Sequence, residues 1–196
     1  MKPINLPIFP LKLVVLPGTI QGLQIFEPRY LNMVKQCMSD SSNFVISYKS
    51  DRFDDFDFGI EKVGTTVQII DFNNLPNGLL GITVKAESKV SLNNIIQLED
   101  KSYLGEVSPL IEPEVDDQSL LAKYPDLIEV LVKLKEHPEI RTLKLDIDLD
   151  CADSVSYHLG NLIPLTADEK QTLLTAFDAD QRFKILSKIL ESIRKT

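Results

Sequence analysis

The densest run of possible metal ligands is LDIDLDCAD, Leu145 to Asp153, where Asp146, Asp148 and Asp150 repeat at D-x-D-x-D spacing. An EF-hand calcium loop opens that way, but it also needs glycine at its sixth position to turn the chain and glutamate at its twelfth to close the shell. Cys151 and Tyr157 hold those places, so the calcium reading fails. Alternation predicts instead that Leu145, Ile147 and Leu149 turn inward while the aspartates face water, with Asp150 capping a helix that carries Val155, Leu159 and Leu162. Cys151 and His158 are a conceivable nucleophile and base, yet on a straight helix their spacing puts them about two turns apart, beyond direct contact. No G-x-x-x-x-G-K-[ST], G-x-S-x-G or H-E-x-x-H motif occurs. Cys37 and Cys151 lack CxxC spacing and are expected to be reduced side chains. The sequence therefore predicts no catalytic residue, no metal and no cofactor.

Two other stretches hold unusual side chains. In LQIFEPRYLNMV, Leu23 to Val34, the residues Glu27, Pro28 and Arg29 separate a strand-like run from a helix-like run. Pro28 suits the first helical position and Glu27 suits the positive end of a helix dipole. Arg29 opposes that dipole. Residues two apart on a helix point away from one another, so Arg29 is expected to leave Glu27 for an acceptor elsewhere in the fold or on a bound group. In DRFDDFDFG, Asp51 to Gly59, the rings of Phe53, Phe56 and Phe58 alternate with aspartates and Arg52. Either one or two rings tuck into the end of a barrel with the acids solvated, or the loop is an exposed aromatic lip with an acidic fringe, suited to apolar, cationic peptide segments.

The elements that would position these residues fall into two halves. From Ile4 to about Glu112 the signals are strands: Leu6 to Phe9, Gln21 to Phe26, Phe44 to Tyr48, Thr65 to Phe72, Leu79 to Ala86, Lys89 to Leu98 and Tyr103 to Leu110. One helix, Pro28 to Met38, interrupts them, with Tyr30 or Leu31, then Val34, Cys37 and Met38 as its apolar stripe. NNLPNG, Asn73 to Gly78, predicts a hairpin that puts Val67 and Ile69 on the same core as Ile82 and Val84. After IEPEVDDQ the period becomes helical: Leu120, Tyr124, Leu127, Leu131 and Leu134, with Pro125 starting a new turn, then capping signals at Thr166 with Glu169 and at Asp178 with Gln181. The division is a β domain over 1–112 and a helical bundle over 118–196.

Composition bounds the rest. At 43% apolar and 26% charged residues in 196, the chain is expected to fold as an ordinary globular protein. Pro3, Pro7, Pro10 and Lys12 break the opening apolar run before it can serve as a secretion signal, and no stretch reaches membrane-span length, so the expected location is the cytoplasm. A net charge of −8 with scattered lysines and arginines opposes binding to nucleic acid or anionic membranes.

Taken in order, IFPLKLVVLPGTIQGLQIFEPRYLNMV, VGTTVQII, NLPNGLLGITVKAESKV and NLIPLTADEKQTLLTAFDADQRFKILSKIL resemble the amino-terminal substrate-binding domain of Lon protease, a domain also shared by cereblon. The resemblance implies an α+β protein, a PUA-like β pseudobarrel followed by a helical bundle, of the stand-alone bacterial Lon-domain type. It implies a noncatalytic polypeptide-binding module, an adaptor or sensor of unfolded proteins, with a protease or chaperone as a candidate partner. In that family FEPRY joins a barrel strand to its helix, which implies packing roles for Phe26 and Tyr30 and a tie across the barrel or toward its cleft for Arg29. The candidate peptide-binding set is Phe53, Phe56, Phe58 and Arg29. Where the family carries Gly and an Arg-Phe or Arg-Val pair, this chain has Ala86, then Ser88, Lys89 and Val90, so any contact made by that arginine is not carried over. Two alternatives stay open: an RNA-binding PUA-like protein, and a small-molecule-binding or hydrolase domain with a site at the domain junction.

Overall fold

A computed structural model of the chain describes residues 4–50, 56–143 and 145–194, apart from the side chains at 56, 57 and 194. It divides into two compact units, Met1–Leu110 and Ile111–Thr196. The architecture is α+β.

In the first unit the order is β1 (Ile4–Leu11), β2 (Ile20–Ile25), α1 (Pro28–Asp40), β3 (Phe44–Lys49), β4 (Ile60–Asn74), β5 (Leu80–Gln97) and β6 (Tyr103–Pro109). The sheet runs β2-β5-β4-β3-β1-β6, and β6 pairs again with β5, so five strands close into a ring and β2 lies outside it. β1 and β3 are parallel, and the other pairs are antiparallel. Strands β1 and β3 are buried on both faces. Alternation sends Ile8 and Val45 to one apolar cluster with Val90, Leu92 and Val107, and sends Phe9, Phe44 and Ile46 to another beneath α1.

Where the sequence predicts two strands, Leu79 to Ala86 and Lys89 to Leu98, the structure has the single strand β5. The cause is a bulge: Thr65 pairs with Lys89 but Val67 pairs with Ala86, so β5 carries an extra residue opposite Thr66. An extra residue shifts the period-two pattern by one and reads as a break. Thr66 Oγ1 holds the strand together there, accepting from the Ser88 N–H and donating to the Ser88 carbonyl, both at 3.2 Å. The predicted hairpin forms: Ile69 pairs with Val84 and Phe72 with Ile82, and Val67, Ile82 and Val84 share the cluster under α1, with Ile69 packed against it.

The stripe on α1 is Tyr30, Met33, Val34 and Cys37. Met38, expected on it, is instead 39% exposed, and Met33 is buried. Burial pushes the Cys37 thiol up, which keeps it protonated and inert.

The second unit is helical: α2 (Asp117–Lys123), α3 (Pro125–Glu136), α4 (Pro138–Arg141), α5 (Ala152–Leu162), α6 (Ala167–Leu174) and α7 (Ala179–Arg194). Pro125 opens α3 at its first turn, where a missing N–H costs nothing. Thr166 and Glu169 make the full capping box. Asp178 Oδ1 accepts the Gln181 N–H at 2.8 Å, starting α7. Asp150, expected to cap α5, does not. Its N–H donates to Asp148 Oδ1, a tight turn that leaves Cys151 at the cap position, and the Ala152 N–H donates to Asp117 Oδ1 from α2 instead. The same turn prevents 145–149 from being a strand: Ile147 is buried, whereas Leu145 and Leu149 are only half-buried. His158 is buried and its Nδ1–H donates to the Ser154 carbonyl at 2.8 Å, a contact within its own helix. No helix among the described residues is long and apolar enough to cross a membrane.

Gly64 lies where the facing strand's backbone comes close. A Cβ there would meet the Ile46 carbonyl oxygen at 2.8 Å and Val45 Cγ1 at 2.9 Å, both in the facing strand. Gly64→Ala is expected to lower stability by about 1–3 kcal/mol, the usual cost of overpacking. Urea denaturation monitored by circular dichroism will read it, and an unchanged midpoint contradicts it.

Candidate functional site

The FEPRY corner resolves the question posed by its charges. Glu27 is not helical: its φ of −82° and ψ of 132° are extended, so the rule that residues two apart diverge does not hold across it. Arg29 therefore pairs with Glu27 after all, Nε donating to Oε2 at 2.9 Å with Nη2 2.7 Å from the same oxygen. It also reaches the acceptor expected elsewhere, because Nη1 donates to the Lys101 carbonyl at 2.5 Å, in the turn between β5 and β6. The guanidinium lies over the Tyr30 ring, 4.6 Å from its centroid. This corner ties a helix start to a strand turn. Tyr30 is buried as the resemblance implied, but Phe26 is 67% exposed and packs little: it follows the last strand residue, Ile25, which takes the inward place.

Of the aromatic loop, Phe53 lies outside the described residues, and for Phe56 only the backbone is described, in the short 3-10 turn Phe56–Gly59. Phe58 has a left-handed φ of 61° and is partly exposed, with its ring centroid 5.3 Å from that of Tyr103.

Sequence reasoning missed the two features that differ most from an ordinary surface and an ordinary core. One is the far end of β4. Its first half pairs with β3 as far as Val67, opposite Phe44, where β3 begins. From Gln68 to Asn74 it pairs with β5 alone among the described strands, and that part of β5 holds β2 on its other side. A three-stranded sheet thus runs on from the ring, with β4 at its edge. Ile70 and Phe72 are 47% and 58% exposed there. With Met38, Ser41 and Ser42 from the end of α1 and Gln68 beside them, they line a recess of about 270 Å³.

The other is a buried cation in the helical unit. Arg182 on α7 is 0% exposed. Its Nη1 donates to both Glu112 carboxylate oxygens, at 2.8 and 2.6 Å, and to the Tyr157 hydroxyl at 3.0 Å. Nε donates to Ser156 Oγ at 2.9 Å, and Nη2 pairs with Asp153. Tyr157 OH donates in turn to Glu112 Oε1 at 3.0 Å. A guanidinium with its donors so engaged holds structure and leaves little for a ligand. The readable signal was an arginine inside the apolar stripe of Phe183 and Leu186. The same unit also carries an open groove of about 1000 Å³ lined by Leu121, Pro125, Ile128 and Val132.

Comparison with known proteins follows the same outline. The model of the ATP-dependent protease La (LON) substrate-binding domain matches residues 5–192. Lon protease of Brevibacillus choshinensis is 26% identical over 97% of this chain and 25% of its own length, and Lon protease 1 of Thermus thermophilus is 27% identical over 98% and 25%. This chain thus spans about a quarter of the length of these relatives. Among solved structures, the Lon N-terminal domain protein from Xanthomonas campestris superposes with a TM-score of 0.76 at 30% identity, covering 94% of this chain and 98% of that one. The N-terminal domain of Mycobacterium avium complex Lon protease shares the fold, with a TM-score of 0.71 at 17% identity over 93% and 96% of the two chains.

The two arginines are expected to differ sharply on removal. Arg182→Met leaves Glu112 without its buried partner and should cost about 3–5 kcal/mol. Arg29→Met breaks a pair whose side chains are 24% and 39% exposed and should cost at most about 1 kcal/mol. Equal losses in thermal denaturation would contradict this. Alkali gives a further test. Burial, the largest cause, pushes the Tyr30 phenol up to about 12 from 10.0, so the folded chain keeps a proton that the unfolded chain loses. Stability present below pH 10 should therefore fall as pH rises toward 12. The melting temperature is expected to drop between pH 10 and 12, and to drop less in Tyr30→Phe.

Proposed function

Because the chain belongs to the substrate-binding domain family of ATP-dependent protease La, Lon, we propose that it recognises unfolded polypeptide without acting on it chemically, as an adaptor or sensor for a protease or chaperone. The carrying observation is the family match over residues 5–192, beside the exposed Ile70 and Phe72 on the β unit. Unfolded chains differ from folded ones in exposing apolar side chains and unpaired backbone groups together. Met38, Ile70 and Phe72 offer apolar contact of the matching kind, and Phe53, Phe56 and Phe58 are proposed as a second aromatic contact. Arg29 ties the start of α1 to the turn between β5 and β6, a positioning role in this proposal. The acidic charge favours cationic, apolar segments over phosphate backbones. ATP hydrolysis and peptide cleavage are not part of the proposal, since the sequence carries no phosphate-cradling or nucleophile motif.

A fluorescently labelled, permanently unfolded polypeptide such as reduced, carboxymethylated lactalbumin is expected to bind in a polarisation titration, while the native form of the same protein does not. Phe53→Ser with Phe56→Ser should weaken that binding about threefold to tenfold, roughly 0.7–1.4 kcal/mol, with the melting temperature unchanged. Equal affinity for the native and unfolded forms would overturn the proposal.

A further inference from the structure

We propose that the free edge of β4, Gln68 to Asn74, binds extended polypeptide as an added antiparallel or parallel β strand, with the adjoining recess taking its apolar side chains. This rests on the polypeptide-binding reading above and gives it a site and a chemistry.

The backbone geometry carries the inference. The hairpin closes with the Leu75 N–H donating to the Leu79 carbonyl at 2.9 Å. In an antiparallel ladder, pairs that exchange hydrogen bonds alternate with pairs that do not. Counting back from 75 and 79, Asn73 with Gly81 is a bonded pair, whereas Asn74 with Leu80 and Phe72 with Ile82 are not. The N–H and C=O groups of Phe72 and Asn74 therefore point away from β5, toward the open edge. Phe72 confirms the phase independently, because its N–H donates not to β5 but to Asp71 Oδ1 at 2.9 Å. An incoming strand meets a backbone acceptor and donor set already aimed at it, with one donor held by a displaceable side chain.

Two more features suit an occupant of this kind. The register shift between Ile69 and Asp71 is a bulge that leaves Ile70 as the extra residue on β4, unpaired with β5 and free to lie over the recess. Exposed edges normally carry charge, proline or a bulge to discourage pairing; here the bulge at Ile70 precedes the regular run Asp71 to Asn74, and Asp71 is the one charge, set between two large exposed apolar residues. An edge that keeps Ile70 and Phe72 open is poorly protected against pairing and well suited to accept it. Main-chain bonds supply affinity regardless of sequence, and side chains at alternate positions of the guest meet Met38, Ile70 and Phe72. The ligand class is thus any extended, apolar segment with free backbone amides, which folded proteins rarely present.

The test uses the full chain and three versions of one apolar decapeptide from an unfolded binder: the parent, one N-methylated at alternate residues along a single edge, and one N-methylated along the other edge as a control. Added-strand binding predicts that one methylated edge lowers affinity at least tenfold while the opposite edge leaves it within twofold. Phe72→Lys should weaken the parent peptide about tenfold with an unchanged melting temperature. If the parent binds and both methylated forms bind equally well, the β4 edge is overturned while polypeptide recognition stands. If neither the parent nor longer unfolded chains bind, the functional reading itself falls.

Discussion

Strand β5 has to satisfy two sheets at once, and the first unit depends on it. Its 18 residues pair with β4 along most of their length, with β2 at one end and with β6 at the other. The half after Ala86 closes the five-stranded ring, and the half before it carries the sheet that extends beyond. A single straight strand would impose one alternation on both. The bulge at Glu87 and Ser88 resets it, so that Ile82, Val84 and Ala86 face the cluster under α1 while Val90 and Leu92 face the other cluster. The open edge of β4 is a consequence of the same arrangement: β3 is only six residues long and ends at Phe44, so no described strand continues alongside β4 once it leaves the ring.

The two arginines illustrate how differently one side chain is used in the two units. Arg29 stays near the surface, where its bonds to Glu27 and to the Lys101 carbonyl fix the angle between a helix start and a turn more than they add free energy. Arg182 is wholly enclosed, and Glu112, Asp153, Ser156 and Tyr157 must all be in place to offset its desolvation. Such a network has one satisfied arrangement. It joins the segment that begins the helical unit, through Glu112, to α5 and α7.

Features written in local chemistry were legible in the sequence. Pro28 and Pro125 mark helix starts, T-x-x-E at Thr166 gives a capping box, Asn-Gly at 77 and 78 gives the hairpin, and the family motifs carry the α+β class. Features that depend on what lies opposite were not. The bulge in β5 looks like two strands because only the partner Thr66 shows that the ladder continues. Glu27 and Arg29 looked independent because a helical rule was applied across a residue that is extended. Asp150 lost its capping role to Asp117, 33 positions earlier in the chain. The free edge was invisible because it follows from where another strand ends, and no pattern within QIIDFNN records that.

Backbone amide hydrogen exchange, compared with and without a saturating unfolded peptide, addresses recognition at the β4 edge most directly. The Phe72 and Asn74 amides face the open edge in the free chain, that of Phe72 held by the Asp71 side chain, so added-strand binding should slow exchange at both, most at Asn74, with the ladder amides of Asp71 and Asn73 changing little. Protection confined to another surface, with Phe72 and Asn74 exchanging as fast as in the free chain, would contradict the account.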